Sequence, residues 1–353
     1  MINSVAFSPL ELQPISKKPE FNKGKRKRKT TVKTHKKKST KKLTSVEEES
    51  ESNSLSSTRY GSYSGVRIIR DTDPTSLLSN VVQIGTGLTS NVYLANYKDR
   101  EVAVKEMKLT KKQRKFILDE IKIMHQLHSR YLVKMISAHI HNGTSWILMQ
   151  YMDAGSLGDI LRYVQCNELQ VAYIIRKVLH GLKRMHDKNF IHRDLKCGNI
   201  FLSKTGSIKI GDFGFSTQID ALKEEGEADY IVGSPYWMAP EISDGLSYSF
   251  ASDIWAIGIM CIEMINGSPP YSQIPPKKAI KHIKKYGIPK LRGFSPEYRD
   301  FVERCTRLDP KDRPSAKELL EHNFLKTKCD KKSIVDFIQN GLKAADDADL
   351  FGF

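Results

Sequence analysis

His192-Arg193-Asp194-Leu195-Lys196-Cys197-Gly198-Asn199 decides the reading, and Asp212-Phe213-Gly214 follows it after a hairpin pattern at 200–210 with its turn near Thr205-Gly206. Asp194 can accept a hydroxyl proton, and Lys196 can neutralise charge on a transferring phosphoryl group. Asn199 can ligate Mg²⁺ through its amide oxygen, and Asp212 can supply the main metal carboxylate. Oxygen ligands of this kind suit a hard cation that bridges phosphates. Each piece alone has an ordinary reading: a helix-capping Asp, a turn Asn, a hairpin Gly. Their order and spacing together point to phosphoryl transfer.

Upstream, Gly85-Thr86-Gly87-Leu88-Thr89-Ser90-Asn91-Val92 lies between two strand-like runs. Glycines there let backbone N–H groups approach phosphates closely. Taken alone this signal is weak, because many turns contain Gly-x-Gly. In Val102-Ala103-Val104-Lys105, strand alternation puts Ala103 and Lys105 on one face. Ala103 can roof an adenine while Lys105 reaches its phosphates; an exposed lysine on an edge strand is the plainer alternative. Ile117, Glu120 and Met124 are spaced i, i+3, i+7 on a helical pattern over 112–128, so Glu120 falls on the apolar stripe. A carboxylate there needs a cation, and Lys105 is its natural partner. Phe213 is expected to pack beneath this helix.

Downstream come Ala239-Pro240-Glu241, Asp253-Ile254-Trp255-Ala256-Ile257-Gly258 and Arg313-Pro314. With these in place, residues 78–325 resemble the eukaryotic protein kinase family. The resemblance implies an α+β, bilobal protein kinase fold: a small β-rich N-lobe with one helix and a larger, mainly helical C-lobe, with ATP between them. It implies ATP and Mg²⁺ as cofactors and protein hydroxyls as substrates. Met149-Gln150-Tyr151-Met152 resembles the gatekeeper and hinge, whose backbone groups bind adenine. By the same resemblance Ile84, Gly85, Gly87, Ser90, Val92, Ala103, Lys105, Met149, Gln150, Met152 and Phe201 are nucleotide-site residues. Glu241 and Arg313 resemble the family's buried ion pair, and Asp253 the residue that braces the catalytic loop.

Finer features resemble the STE group, the PAK-like kinases in particular: Val232-Gly233-Ser234-Pro235-Tyr236-Trp237-Met238-Ala239-Pro240-Glu241, Gly267-Ser268-Pro269-Pro270-Tyr271, and Ala316-Lys317-Glu318-Leu319-Leu320. Lys196 and the 232–241 stretch are similar to serine/threonine kinases, and bulky Phe215 to members that prefer serine. Three positions depart from the pattern. Ser90 stands for the third loop glycine, Ser234 for a threonine, and Tyr230 for a phosphorylated threonine. Ser90 and Tyr230 are all that favours the competing reading, a pseudokinase that binds nucleotide without transferring phosphate. Ile15-Ser16 through Phe21 faintly resembles the start of a small-GTPase-binding motif, but no His-x-x-His follows, so small-GTPase binding is unsupported. The upstream activator is unknown. Arg193 before Asp194 is of the kind that holds an activation-segment phosphate; Glu227 or Asp229 is expected to substitute in part, with phosphorylated Tyr230 as the alternative.

The 353 residues carry a formal net charge of +17, and residues 17–42 hold 14 Lys/Arg against one acid, Glu20. That stretch, followed by Glu47–Glu51 and a serine cluster, buries too little apolar surface to offset ordering. We therefore expect a disordered basic tail over 1–58, a linker over 59–77, the catalytic domain over 78–325 and a C-terminal extension over 326–353 with one weak helical pattern. The tail is open to contact with nucleic acid, an acidic protein or an anionic membrane, to nuclear import, or to no ligand at all. Five scattered cysteines without a CxxC pair argue against a disulfide framework or zinc site. They point to an intracellular, cytoplasmic setting, with nuclear entry open through the tail. The most apolar run, Ile254 to Ile265, is short and broken by Glu263, so no transmembrane segment is expected.

Overall fold

The structure, a computed structural model, describes residues 60–63, 66–70, 72–87, 89–111, 113–220 and 231–351. The tail over 1–58 and the acidic stretch 221–230 lie outside them.

The small lobe is built on one seven-stranded sheet. Its strands are β1 Tyr60–Tyr63, β2 Val66–Arg70, β3 Ser79–Thr86, β4 Ser90–Tyr97, β5 Arg100–Lys108, β6 Met135–His141 and β7 Thr144–Gln150, in the order β1-β2-β6-β7-β5-β4-β3. Alternation divides β5 cleanly. Val102 and Val104 join Ala95 and Leu148 in a satellite core on one face. Ala103 and Lys105 therefore point to the other face, as strand geometry requires. The helix α1, Arg114–Gln126, crosses that face and buries Ile117, Leu118, Ile121 and Met124. Its first turn has Arg114 and Lys115 and no acid, and no side chain caps it. Those cations oppose the helix dipole, so packing rather than capping holds α1 in place.

Residues 59–77 are more than the linker expected. They contain β1, β2 and a short turn at Pro74–Leu77 capped by Asp73, whose carboxylate accepts from the Thr75 amide. β2 runs parallel to β6, with Ile69 opposite His139. Ile68 is fully buried in the main core, which explains why this stretch is drawn in.

The large lobe is organised by two long helices. Helix Glu168–His186 starts with a reciprocal Asn167–Gln170 capping box and ends with Lys183, Arg184 and His186 in its last turn. Both ends thus complement the dipole and the orphan backbone groups. Helix Phe250–Asn266 is apolar nearly all round and correspondingly buried. Gly258 lets the segment after helix Pro296–Cys305 approach: a Cβ there would lie 2.6 Å from the Thr306 methyl. The hairpin of Ile200–Leu202 and Ile208–Ile210 forms as expected, with Gly206 left-handed at its turn.

The C-terminal extension differs most from its sequence reading. In place of a weak pattern, Lys331–Phe351 is one helix of 21 residues. It buries Ile334, Phe337 and Ile338 in the main core. Gly341 lets this helix come close to the core: a Cβ there would meet the Ile160 side chain at 2.6 Å.

Candidate active site

Three of the expected residues converge where the lobes meet. Lys105 Nζ lies 2.7 Å from Glu120 Oε1 and 3.0 Å from Asp212 Oδ1. Burial disfavours the ammonium, but the Asp212 and Glu120 carboxylates outweigh it and push Lys105 upward. Glu120 is 3 % exposed, and burial raises its carboxyl despite Lys105. Asp212 is held down at about 2, chiefly by the Lys105 charge. Asp212 also adopts a left-handed backbone, φ 55°, which is costly for a non-glycine residue and common at functional sites. Phe213 is buried in the main core, whose members also include the apolar residues of α1, and its ring centroid lies 5.7 Å from that of His192.

The catalytic loop is braced from below. Asp253, buried at the start of helix Phe250–Asn266, accepts from the backbone amides of His192 and Arg193 at 2.9 and 3.0 Å. It also pairs with His186 Nε2 at 3.0 Å. Burial acts against its charge, yet these partners hold the carboxyl below its ordinary range. Fixed this way, Arg193 is forced to φ 67°. Above the brace, Asp194 accepts from Asn199 Nδ2 at 3.0 Å and from the Ser234 amide at 2.8 Å. Asn199 Nδ2 also donates to the Asp194 carbonyl at 2.7 Å. With its amide nitrogen turned to Asp194, Asn199 keeps its oxygen for a cation. Lys196 Nζ bridges Asp194 Oδ2 at 3.2 Å and Ser234 Oγ at 2.7 Å. The hydroxyl retained at Ser234 thus performs a definite task, since it positions Lys196.

Of the residues expected at the nucleotide site, Val92, Ala103, Lys105 and Met149 share one face of the small-lobe sheet. Lys105 lies opposite Val92 and Ile147, and Ala103 lies opposite Leu94 and Met149. Gly85 pairs with Val92 across a register shift that leaves Ile84 46 % exposed. The loop closes on itself: the Gly87 amide donates to the Ser90 carbonyl at 2.7 Å, so this donor is directed inward here. At the hinge, the Gln150 amide donates to the Lys134 carbonyl, and Met152 is buried in the core. Phe201 packs on Gly211, where a Cβ would come within 2.8 Å of its ring.

Several working residues escaped the sequence reading. Gly233, at φ 102°, sits so close to the Arg193 carbonyl that no Cβ fits. Tyr248 Oη donates to the Val232 carbonyl and accepts from its amide, and the Arg193 guanidinium lies over the Tyr248 ring. Glu263 had a legible signal, a carboxylate inside an apolar helix. It accepts from the Cys197 amide at 3.1 Å and from Trp237 Nε1 at 2.7 Å, tying the catalytic loop to the segment that follows Ser234. Burial raises its carboxyl. The Glu241–Arg313 pair is buried and bidentate, at 2.6 and 2.7 Å. Glu227, Asp229 and Tyr230, named for activation, lie outside the described residues.

Among the described residues, no group of three or more His, Cys, Asp or Glu could hold a metal alone. Asp212 and Asn199 each offer an oxygen donor, the ligand type magnesium favours when substrate phosphates complete its shell. Residues 78–325 match the protein kinase domain. The chain belongs to the protein kinase family. It is similar to the serine/threonine-protein kinase pakC of Dictyostelium discoideum, 35 % identical over 281 residues, covering 77 % of this chain and 58 % of that protein. It is also similar to the serine/threonine-protein kinase ste20 of Emericella nidulans, 39 % identical over 266 residues, covering 74 % and 31 %. With the serine/threonine-protein kinase shk1/pak1 of Schizosaccharomyces pombe it shares 38 % over 274 residues, covering 76 % and 41 %. Within the protein kinases its resemblance is therefore to the PAK-like and Ste20 members of the STE group. The chain matches between 31 % and 58 % of these relatives' lengths. Among the described residues, no helix is long and apolar enough to cross a membrane.

Proposed function

We propose that this kinase transfers the γ-phosphoryl group of ATP to serine or threonine hydroxyls of proteins, with Mg²⁺. The observation that carries the reading is the Asp194–Lys196–Ser234 arrangement. A carboxylate positioned to take a hydroxyl proton stands 3.2 Å from an ammonium that can meet phosphoryl charge. Asp212 and Asn199 would hold the magnesium, which supplies neutralisation of phosphate charge. Lys105, fixed by Glu120, would contact phosphate oxygens from the opposite side. Asp194 receives the proton as the substrate oxygen attacks, and Lys196 stabilises the transferring group, the division of labour expected when catalysis is positioning plus electrostatics.

The test is transfer of radiolabel from ATP to a serine/threonine peptide library, with Asp194→Asn as control and phosphoamino-acid analysis of the product. Label on serine and threonine, absent with Asp194→Asn, supports the reading. Nucleotide binding without transfer would support the pseudokinase alternative. The proposed setting is intracellular, in the cytoplasm, with nuclear entry through the Lys/Arg-rich tail. Imaging the full chain beside one lacking 1–58 tests this.

A further inference from the structure

Residues 271–296 contain seven Lys/Arg and no Asp or Glu. Five of these lysines lie on helix Pro276–Tyr286. At about 100° per residue, Lys277, Lys278, Lys281, Lys284 and Lys285 share an arc of about 120°. The opposite side buries Ala279 and Ile283. Lys277, Lys278, Lys281 and Lys285 are exposed. Among the described residues, only Lys284 of the five forms an ion pair, with Asp244. Like charges at i,i+3 and i,i+4 repel, so this face works against the isolated helix.

Its place in the fold gives it a use. Ile283 is packed in one cluster with Ala239, Ile242 and Trp255. Tyr236 Oη donates to the Ile274 carbonyl at 2.9 Å. The helix is thus seated on the segment that begins at Ser234, whose amide donates to Asp194. Whatever binds the lysine face is held at a fixed position relative to the catalytic carboxylate.

We propose that the lysine face of helix Pro276–Tyr286 docks an acidic segment of the protein substrate, remote from the hydroxyl that is phosphorylated. This rests on the protein-kinase reading above. Carboxylates complement a row of compact ammonium charges, and a docked segment raises the local concentration of its own hydroxyl at the cleft. A polynucleotide or a lipid surface would match the charge equally. Neither accounts for seating the face on the segment beside Asp194.

The experiment uses the full chain and one phosphorylatable peptide, joined by a flexible linker to a run of glutamates, glutamines or lysines. Wild type should show a KM about tenfold lower for the glutamate-tailed than the glutamine-tailed peptide, with kcat unchanged. The preference should vanish at about 0.5 M salt, where exposed charges are screened. Lys277→Glu/Lys281→Glu/Lys285→Glu should abolish the glutamate preference and favour the lysine-tailed peptide, while turnover of the glutamine-tailed peptide reports basal activity. No transfer to any peptide would remove the underlying kinase reading. Transfer at equal KM to glutamate- and glutamine-tailed peptides would overturn the docking proposal alone. A glutamate preference that survives the triple substitution would also overturn it, and would place the contact in the tail. So would a triple variant that loses only salt-sensitive binding to phosphatidylserine vesicles or duplex DNA.

Discussion

Tyr248 closes both backbone polar groups of Val232: its hydroxyl donates to the Val232 carbonyl at 2.5 Å and accepts from the amide at 3.0 Å. Val232 is 5 % exposed, so water does not readily replace either bond. Burial pushes the Tyr248 phenol up to about 12, which keeps it a donor at any physiological pH. The bond anchors the start of the segment that leads through Gly233 to Ser234.

Tyr248→Phe leaves a buried amide and carbonyl unpaired, at a cost of about 1–3 kcal/mol. We expect urea denaturation to show that loss. We also expect a raised KM for peptide with an unchanged KM for ATP, because the anchor serves the substrate side of the cleft. Equal increases in both constants would mean a general loosening rather than a local one.

Asp194 and Asp212 should separate by what they fail to do. Asp194→Asn keeps an acceptor for the Ser234 amide but cannot take a proton. Turnover should fall by about 10²–10⁴, with ATP affinity close to wild type. Asp212→Asn should weaken ATP binding in the presence of magnesium and leave magnesium-free binding unchanged. Calorimetric titration with and without magnesium reads this directly. Near wild-type turnover in either variant would remove the roles assigned here.

The parts of this site that were legible in the sequence are those where chemistry restricts both residue type and spacing. Asp194, Asn199 and Asp212 were readable because proton and metal oxygens tolerate few substitutes. The Lys105–Glu120 pair was readable because an acid on the Ile117–Met124 stripe demands a cation. Tyr248 was not, since its partner is the backbone of Val232, and no residue pattern reveals a backbone partner. β2 was hidden by the glycines and serines around it and by a partner strand far along the chain. β6 alternates regularly, Ile136, Ala138 and Ile140 against Ser137, His139 and His141, so the pattern alone puts His139 on the solvent face. His139 is nevertheless fully buried, which only the covering structure could show. The C-terminal helix is weakly patterned in the sequence because Gly341 lowers helix propensity, whereas in the fold a small residue is what contact with Ile160 requires.

That helix should be part of the folding unit. Ile338 is fully buried in the main core, so Ile338→Ala should cost about 2–5 kcal/mol of global stability. The folded fraction should phosphorylate peptide normally, because the helix meets Ile160, Val164, Gly206 and Gln170, none of them an active-site residue. A change below about 0.5 kcal/mol in chemical denaturation would show that the helix does not dock in solution.

The Lys105–Glu120 pair yields a prediction whose sign depends on pH. Lys105→Met leaves Glu120, 3 % exposed, without its cation, at a cost of about 3–5 kcal/mol if the carboxylate stays charged. Burial already raises Glu120 above its ordinary 4.5, and losing Lys105 raises it further. Asp212, held at about 2 against an ordinary 3.8, also rises without Lys105. Its side chain is 46 % exposed, so solvent screens its share. In wild type the depressed Asp212 contributes stability above its ordinary value, lost as pH falls through about 2. In Lys105→Met the raised Glu120 reverses the trend: the folded state binds the extra proton, so stability increases as pH falls through the raised Glu120 value. The variant's deficit should therefore be smaller at about pH 5 than at about pH 8, by urea denaturation at each. Lys105→Met/Glu120→Gln should recover much of the lost stability and lose the pH dependence, yet remain inactive because no lysine reaches the phosphates. If the single variant's deficit is the same at both pH values, Glu120 is not the group left uncompensated.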